Sequence, residues 1–240
     1  MLEQLITAVD SGEVQPLPVQ VFPIEEATCA FTHMAHAKHI GKVILSQQAN
    51  VQWDGTVQSD ATYLVVGGLR GLGLLVAQWL VERGARHLAL MGRSAPNETA
   101  LTILQVLEDQ GVQVAVFQED VSNAASVARV LDSVQANMPP LRGVIHSAGV
   151  LDDGVLLHQD WSRFTHVLGP KVNGAWYLHS GTQGLHLDFF VMFSSAASLL
   201  GSSGQGNHAA ANAFEDALAY HRQALGLPGL SINWGAWSEI

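Results

Sequence analysis

The residues with the plainest chemical purpose are the glycines of the run YLVVGGLRGLG, Tyr63 to Gly73. Their spacing is Gly67-x-x-x-Gly71-x-Gly73. Glycine permits positive φ and lets the backbone approach a ligand closely. A helix opening near Gly71 would aim free N–H groups and a positive dipole end at a pyrophosphate. The whole loop, Gly67, Gly68, Leu69, Arg70, Gly71, Leu72 and Gly73, is therefore a candidate cradle for a dinucleotide.

Further positions agree with that reading. The next apolar run ends in Gly92-Arg93-Ser94, about 20 residues past the glycines, where dinucleotide folds meet the adenosine ribose. An acid there would accept from the 2′-hydroxyl of NAD. Arg93 is instead a forked cation suited to a 2′-phosphate, which predicts NADPH, with Ser94 beside it and Arg70 as a second charge. Asp120, ahead of Val121, could accept from the adenine amino group or cap the next helix together with Ser122. Ser147, Ala148 and Gly149 are small residues where a cofactor ribose would lie against a strand tip.

These residues need a scaffold that alternates strand and helix. Apolar, β-rich runs predict strands at 62–67, 87–91, 112–117, 141–147, 187–193 and 229–234. Amphipathic runs predict helices at 71–83, 97–110, 122–136, 157–182 and 203–225. That alternation implies an α/β fold with a doubly wound parallel sheet, the NAD(P)-binding Rossmann arrangement. Ahead of it, a helix at Leu2–Val9, a turn at Pro16–Pro18, an extended VQVF, a helix at Ile24–Ala37 and an apolar run at Ile40–Leu45 form a separate piece. A polar linker occupies 47–61, with a turn at Asp54-Gly55.

Composition narrows the function. Of 240 residues, 48% are hydrophobic and 13% charged, which suits a buried core and excludes a disordered chain. A formal net charge of −10 argues against a broad nucleic-acid surface. Cys29 is the only cysteine, so no internal disulfide forms and a reducing, cytoplasmic setting is expected. The first residues do not read as a signal peptide, and no run is long enough to span a bilayer.

From Thr62 onward the sequence resembles the short-chain dehydrogenase/reductases. More narrowly, it is similar to the ketoreductase domain of modular polyketide synthases and fatty acid synthases. The resemblance is carried by GGLRGLG (67–73), HSAGVLDDG (146–154), KVNGAW (171–176), FSSAASLLGSSGQGNHAAANAF (193–214) and SINWGAW (231–237). It implies a serine that polarises a carbonyl, a tyrosine that donates the proton, and a lysine and an asparagine that hold the cofactor ribose and a water chain. Residue by residue, these map to Ser195, position 208, Lys171 and Asn212. Trp234 with Gly235 would face the nicotinamide. The substrate implied is a β-ketoacyl thioester on the phosphopantetheine arm of an acyl carrier protein.

One position departs from the pattern. His208 stands where the family has tyrosine. Imidazole can donate a proton, and its reference pKa near 6.5 suits acid–base work. Its nitrogen, however, lies about 2 Å nearer the backbone than a phenol oxygen, and a shift of about 1 Å can cost about a hundredfold in rate. Either a bridging water restores the relay, or the chain is a cofactor-binding structural domain that has lost its acid. An epimerase or dehydratase would need a Tyr-x-x-x-Lys pair, which the chain lacks.

Two more matches concern stereochemistry. Leu151-Asp152-Asp153 matches the marker of B-type ketoreductases, and Leu200 occupies the site of the A-type tryptophan. These imply approach of the substrate arm past Asp153 and a D-configured alcohol. Residues 1–46 resemble the C-terminal end of an enoylreductase, the domain that precedes the catalytic half of the ketoreductase in such synthases. The chain is accordingly expected to be incomplete at its C-terminus, with an enoylreductase and a structural subdomain as neighbours. His33, His36 and His39 have no carboxylate or cysteine nearby to complete a metal site and are assigned to a helix and its exit.

Overall fold

The computed structural model describes residues 19–36, 42–46 and 57–235. The helix expected at Leu2–Val9, the turn at Pro16–Pro18, His39 and most of the 47–61 linker lie outside them. The chain divides into two units, one up to Asp54 and one from Gly55 onward. In the first, strands β1 (Val19–Pro23) and β2 (Lys42–Ser46) pair in parallel, and helix α1 (Ala27–Ala35) follows a 3-10 turn at Ile24–Glu26. His33 lies in α1 and its ring centroid is 5.8 Å from that of Phe22.

The second unit is built on six strands: β3 (Thr62–Val66), β4 (His87–Gly92), β5 (Gln113–Gln118), β6 (Leu141–His146), β7 (Phe189–Ser195) and β8 (Leu230–Trp234). Their order in the sheet is β5-β4-β3-β6-β7-β8, and every pairing is parallel. The order reverses beside β3, as in a doubly wound sheet. All five residues of β3 are buried. Because successive side chains point to opposite faces, Tyr63 and Val65 enter one core and Leu64 and Val66 the other. The first core packs against α2 (Gly71–Glu82) and α3 (Glu98–Asp109). The second packs against α4 (Ala124–Asn137), α6 (Gly174–Thr182) and α8 (Gly206–Ala224). Helices on both faces explain why the strands read as apolar runs without alternation.

Several boundaries differ from the expected ones. Asn123, and neither Asp120 nor Ser122, caps α4: its side-chain oxygen accepts from Ala125 N at 2.9 Å and Ser126 N at 3.1 Å. Asp120 instead turns the loop by accepting from Ser122 N at 2.8 Å. The helix expected over 157–182 is broken. A 3-10 turn at Leu156–His158 comes first, and α5 (Trp161–Leu168) begins only after Asp160, which caps it by accepting from Arg163 N. Between α5 and α6 runs a π turn, Gly169–Asn173, which contains Pro170. Proline has no N–H for the helical ladder, and a π turn accommodates the missing bond. A short helix α7 (Ala197–Leu200) precedes α8, whose start at Gly206 is later than the expected 203.

The turn from β3 into α2 is the tightest junction. Gly67 has φ +86°, and a Cβ on Gly73 would stand 2.2 Å from the Gly67 carbonyl oxygen. Loop and helix can approach this closely only without a side chain. Gly73→Ala should therefore destabilise the domain by about 1–3 kcal/mol, the usual cost of forced overpacking, read as a lower urea midpoint. An unchanged midpoint would mean that the two segments separate freely.

Candidate active site

A cavity of about 400 Å³ opens at the carboxyl ends of β3, β4, β5 and β6. Its walls include Gly67, Leu69 to Gly73, Arg93, Ser94, Asp120, Val121 and Ser147 to Gly149. Gly68 is not on that wall. A Cβ there would meet the Val65 carbonyl at 2.8 Å and Leu90 Cδ2 at 3.1 Å, so its role is packing. Trp234 and Gly235 do not line the cavity either; the Trp234 ring stands 5.3 Å from that of Phe193. At Gly67 a Cβ would meet Ser147 Oγ at 2.8 Å and Ala148 N at 2.9 Å, so glycine and strand tip close on each other. The site fits a dinucleotide. Bare glycine backbone and the start of α2 face the cavity, and Arg93 reaches its edge as an exposed cation.

The second cluster lies where α8 packs on β7 and on the π turn. Lys171, buried in the π turn, donates from Nζ to the Phe193 carbonyl at 2.8 Å and to Glu215 Oε2 at 2.8 Å. Gly149 leaves room for the lysine stem: a Cβ there would be 3.2 Å from Lys171 Cε. Asn212 is fully buried and donates to the His208 carbonyl at 2.7 Å, while its own side-chain oxygen has no partner. Ser195 closes β7 and accepts from Ala197 N at 3.1 Å. That bond uses an acceptor lone pair and leaves the hydroxyl hydrogen available for donation. His208 Nδ1 is buried without a partner. Burial and the Lys171 charge hold the His208 pKa below its ordinary value, and Asp153 opposes them.

The rim is held by Asp152 and Asp153. Asp152 pairs with Arg163, whose Nε donates at 2.7 Å, and the Asp152 carbonyl accepts from Asn207 at 2.8 Å. Asp153 accepts from Gln205 at 3.0 Å. Leu200 is 86% exposed at the end of α7. Sequence reasoning missed Glu215. The available signal was its position seven residues after His208 and three after Asn212, which places an acid on the same helical face.

Residues 61–239 match the profile of the KR domain family. The chain belongs to that family. Residues 1–45 match the profile of a zinc-binding dehydrogenase family, consistent with an enoylreductase end. Polyketide synthase GfsB of Streptomyces halstedii is 45% identical over 241 residues, covering 100% of this chain and 4% of that protein. Mycoketide-CoA synthase of Mycobacterium tuberculosis is 41% identical over 241 residues, covering 100% and 6%. The chain thus spans a small fraction of the curated relatives it matches. Among solved structures, an A-type ketoreductase from a modular polyketide synthase superposes with TM-score 0.70 at 40% identity, covering 74% of this chain and 38% of that one. A ketoreductase domain from the bacillaene assembly line gives 0.72 at 30% identity, covering 92% and 58%. The KR domain therefore has the Rossmann fold of the short-chain oxidoreductases, built to bind NAD(P). No helix among its described residues is long and apolar enough to cross a membrane.

The electrostatics of His208 are directly measurable. Its imidazole should titrate below 6.5 by NMR. Lys171→Met should raise the midpoint by removing a repelling cation, and Asp153→Asn should lower it. Shifts of the opposite sign would mean that His208 does not face these two groups.

Proposed function

We propose that this KR domain binds NADPH and reduces a β-ketoacyl thioester, carried on the phosphopantetheine arm of an acyl carrier protein, to the D-3-hydroxyacyl product. The observation that carries the reading is the pairing of a glycine-lined cleft, with Arg93 exposed at its edge, and a buried Lys171 and Asn212 near it. Arg93 would grip the 2′-phosphate, the glycine loop the pyrophosphate, and Lys171 with Asn212 the ribose and its water. When bound, NADPH supplies the hydride. Ser195 has a free hydroxyl hydrogen to polarise the substrate carbonyl. His208 holds the proton for the developing alkoxide. Leu151 to Asp153, with Leu200 in place of tryptophan, support the B-type outcome. An enoylreductase, to which residues 1–46 would belong, and a structural subdomain are the proposed neighbours.

His208 sets the pace. Burial and a nearby cation lower the imidazolium pKa, so the protonated, donating form becomes scarce as pH rises. Once pH exceeds the imidazole pKa, the rate should fall about tenfold per pH unit. A second reading rests on the same residue: with imidazole in place of phenol, the domain binds NADPH and contributes structure without reduction.

Two expectations separate these readings and test the cofactor. Arg93→Asp should raise the Kd for NADPH about ten- to a hundredfold, since a charge-assisted bond contributes about 1.5–3 kcal/mol, and leave NADH little changed by calorimetry. Equal weakening of both removes Arg93 from the site. If His208 is the donor, His208→Ala abolishes turnover of a β-ketoacyl thioester and the wild-type rate falls with rising pH. A wild-type rate that is flat with pH and equal to that of the alanine variant leaves the structural reading, and His208→Tyr should then raise reduction about a hundredfold.

A further inference from the structure

Glu215 is buried completely, yet it lies against the lysine on which ribose binding would depend. It projects from α8 at a spacing of i, i+4, i+7 with His208 and Asn212, so the three share a face. Its Oε2 accepts from Lys171 Nζ at 2.8 Å, and its Oε1 has no hydrogen-bond partner. The other titratable groups facing it are few. His146, on β6, places Nε2 3.6 Å from Glu215 Oε1, but that nitrogen donates to the Pro170 carbonyl at 2.9 Å. Burial and Lys171 hold His146 neutral, its pKa lowered to about 3. Asp216 is next on the same helix and is held by Ser198, Ser231 and Asn233. Among the described residues Lys171 is therefore the cation that balances Glu215.

An ammonium has three N–H groups. Two of Lys171's are engaged, one by the Phe193 carbonyl and one by Glu215. We propose that Glu215 is a positioning residue that competes with the cofactor ribose for Lys171. While the carboxylate holds the ammonium by a charge-assisted bond, one N–H remains for a ribose; when the carboxyl is protonated, the second N–H is held only by a neutral hydrogen bond that a ribose hydroxyl can displace. The competition rests on the reading of Lys171 as the ribose-binding lysine. Burial supports a working range near neutrality, because it raises the Glu215 pKa to about 7 against the opposing pull of Lys171. The cofactor's negative charge acts in the same direction as the competition, since an ionised Glu215 repels it.

The test is the Kd for NADPH, measured by fluorescence from about pH 6 to about pH 8.5, in the wild type and in Glu215→Gln. Binding to the wild type should weaken as pH rises through about 7. Glu215→Gln should bind about tenfold tighter at the alkaline end, the effect of about 1.4 kcal/mol, and should lack that part of the pH slope. Titration of the 2′-phosphate is common to both proteins and cancels in the difference. In a Lys171→Met background the glutamine substitution should have no effect. Parallel pH curves, or weaker binding by Glu215→Gln, overturn the competition. Infrared titration reads the pair without cofactor: a buried carboxyl band near pH 7 in the wild type must move to higher pH in Lys171→Met. An unmoved band with normal NADPH binding overturns the clamp alone. No NADPH binding by the wild type at any pH overturns the cofactor reading and the competition with it.

Discussion

A parallel sheet covered by helices on both faces leaves few places for polar chemistry. In this domain the central strand β3 is apolar on both faces, Leu64 and Val66 on one side and Tyr63 and Val65 on the other. Along that strand, polar groups can meet solvent and ligand only where it ends. Gly67, Arg93, Asp120 and Ser147 all lie just past the carboxyl ends of successive strands, and Ser195 is the last residue of its own. The same constraint brings β3 and β6 side by side through the reversal of strand order, so that the Gly67 loop and the Ser147 tip face each other. The close approach of Gly73 to the Gly67 carbonyl then directs the start of α2 at the cavity between them.

Among the described residues two lysine or arginine side chains, Lys171 and Arg222, are buried, and each is balanced differently. Lys171 has a carboxylate, Glu215, at 2.8 Å. Arg222 has no acid at salt-bridge distance among the described residues. Its guanidinium lies 3.8 Å from the Phe190 ring centroid, donates from Nε to the Pro228 carbonyl at 2.6 Å and from Nη1 to His179 Nδ1 at 3.1 Å. Burial alone pulls its pKa down to about 10, still far above neutrality. A guanidinium tolerates this because its charge is delocalised and its plane can stack on a ring. An ammonium is a compact, strongly hydrated charge, and a counter-ion is its natural compensation in the interior. The arginine braces the chain turn after α8, whereas the lysine lies next to Pro170 and against Gly149, both on the cavity wall.

Much of this was legible in the sequence because it is local. The glycine loop, the apolar strands and the arginine past β4 are patterns within a few residues, and the fold follows from their alternation. What was illegible is mostly pairwise across long separations. Lys171 and Glu215 are 44 residues apart, and no periodicity connects them. The break at Gln159-Asp160 depended on which of several polar residues would cap α5, and the π turn on how Pro170 is absorbed inside a helix rather than at its end. At the start of α4 the sequence offers several capping side chains in a row; Asn123 takes the cap while Asp120 accepts from the Ser122 backbone N–H. Gly68 reads with its neighbours as cradle, but the space a Cβ on it would need is filled by Val65 and Leu90.

One face of α8 carries His208, Asn212 and Glu215, and the first and last of these bear on the same lysine. Lys171 repels a proton from His208, and Glu215 partly neutralises Lys171. Protonating Glu215 would therefore free the ammonium and also intensify its repulsion of a proton on His208. The two effects oppose each other in function: the first favours ribose binding, and the second depletes the acid. A phenol at position 208 would largely escape this conflict, because it donates from a neutral form and an adjacent cation favours its ionisation. An imidazolium does not, since a nearby positive charge always disfavours its charged form. On the proposed roles, histidine at 208 would make cofactor grip and proton supply draw on one charge in opposite directions, with the balance set by the protonation of Glu215.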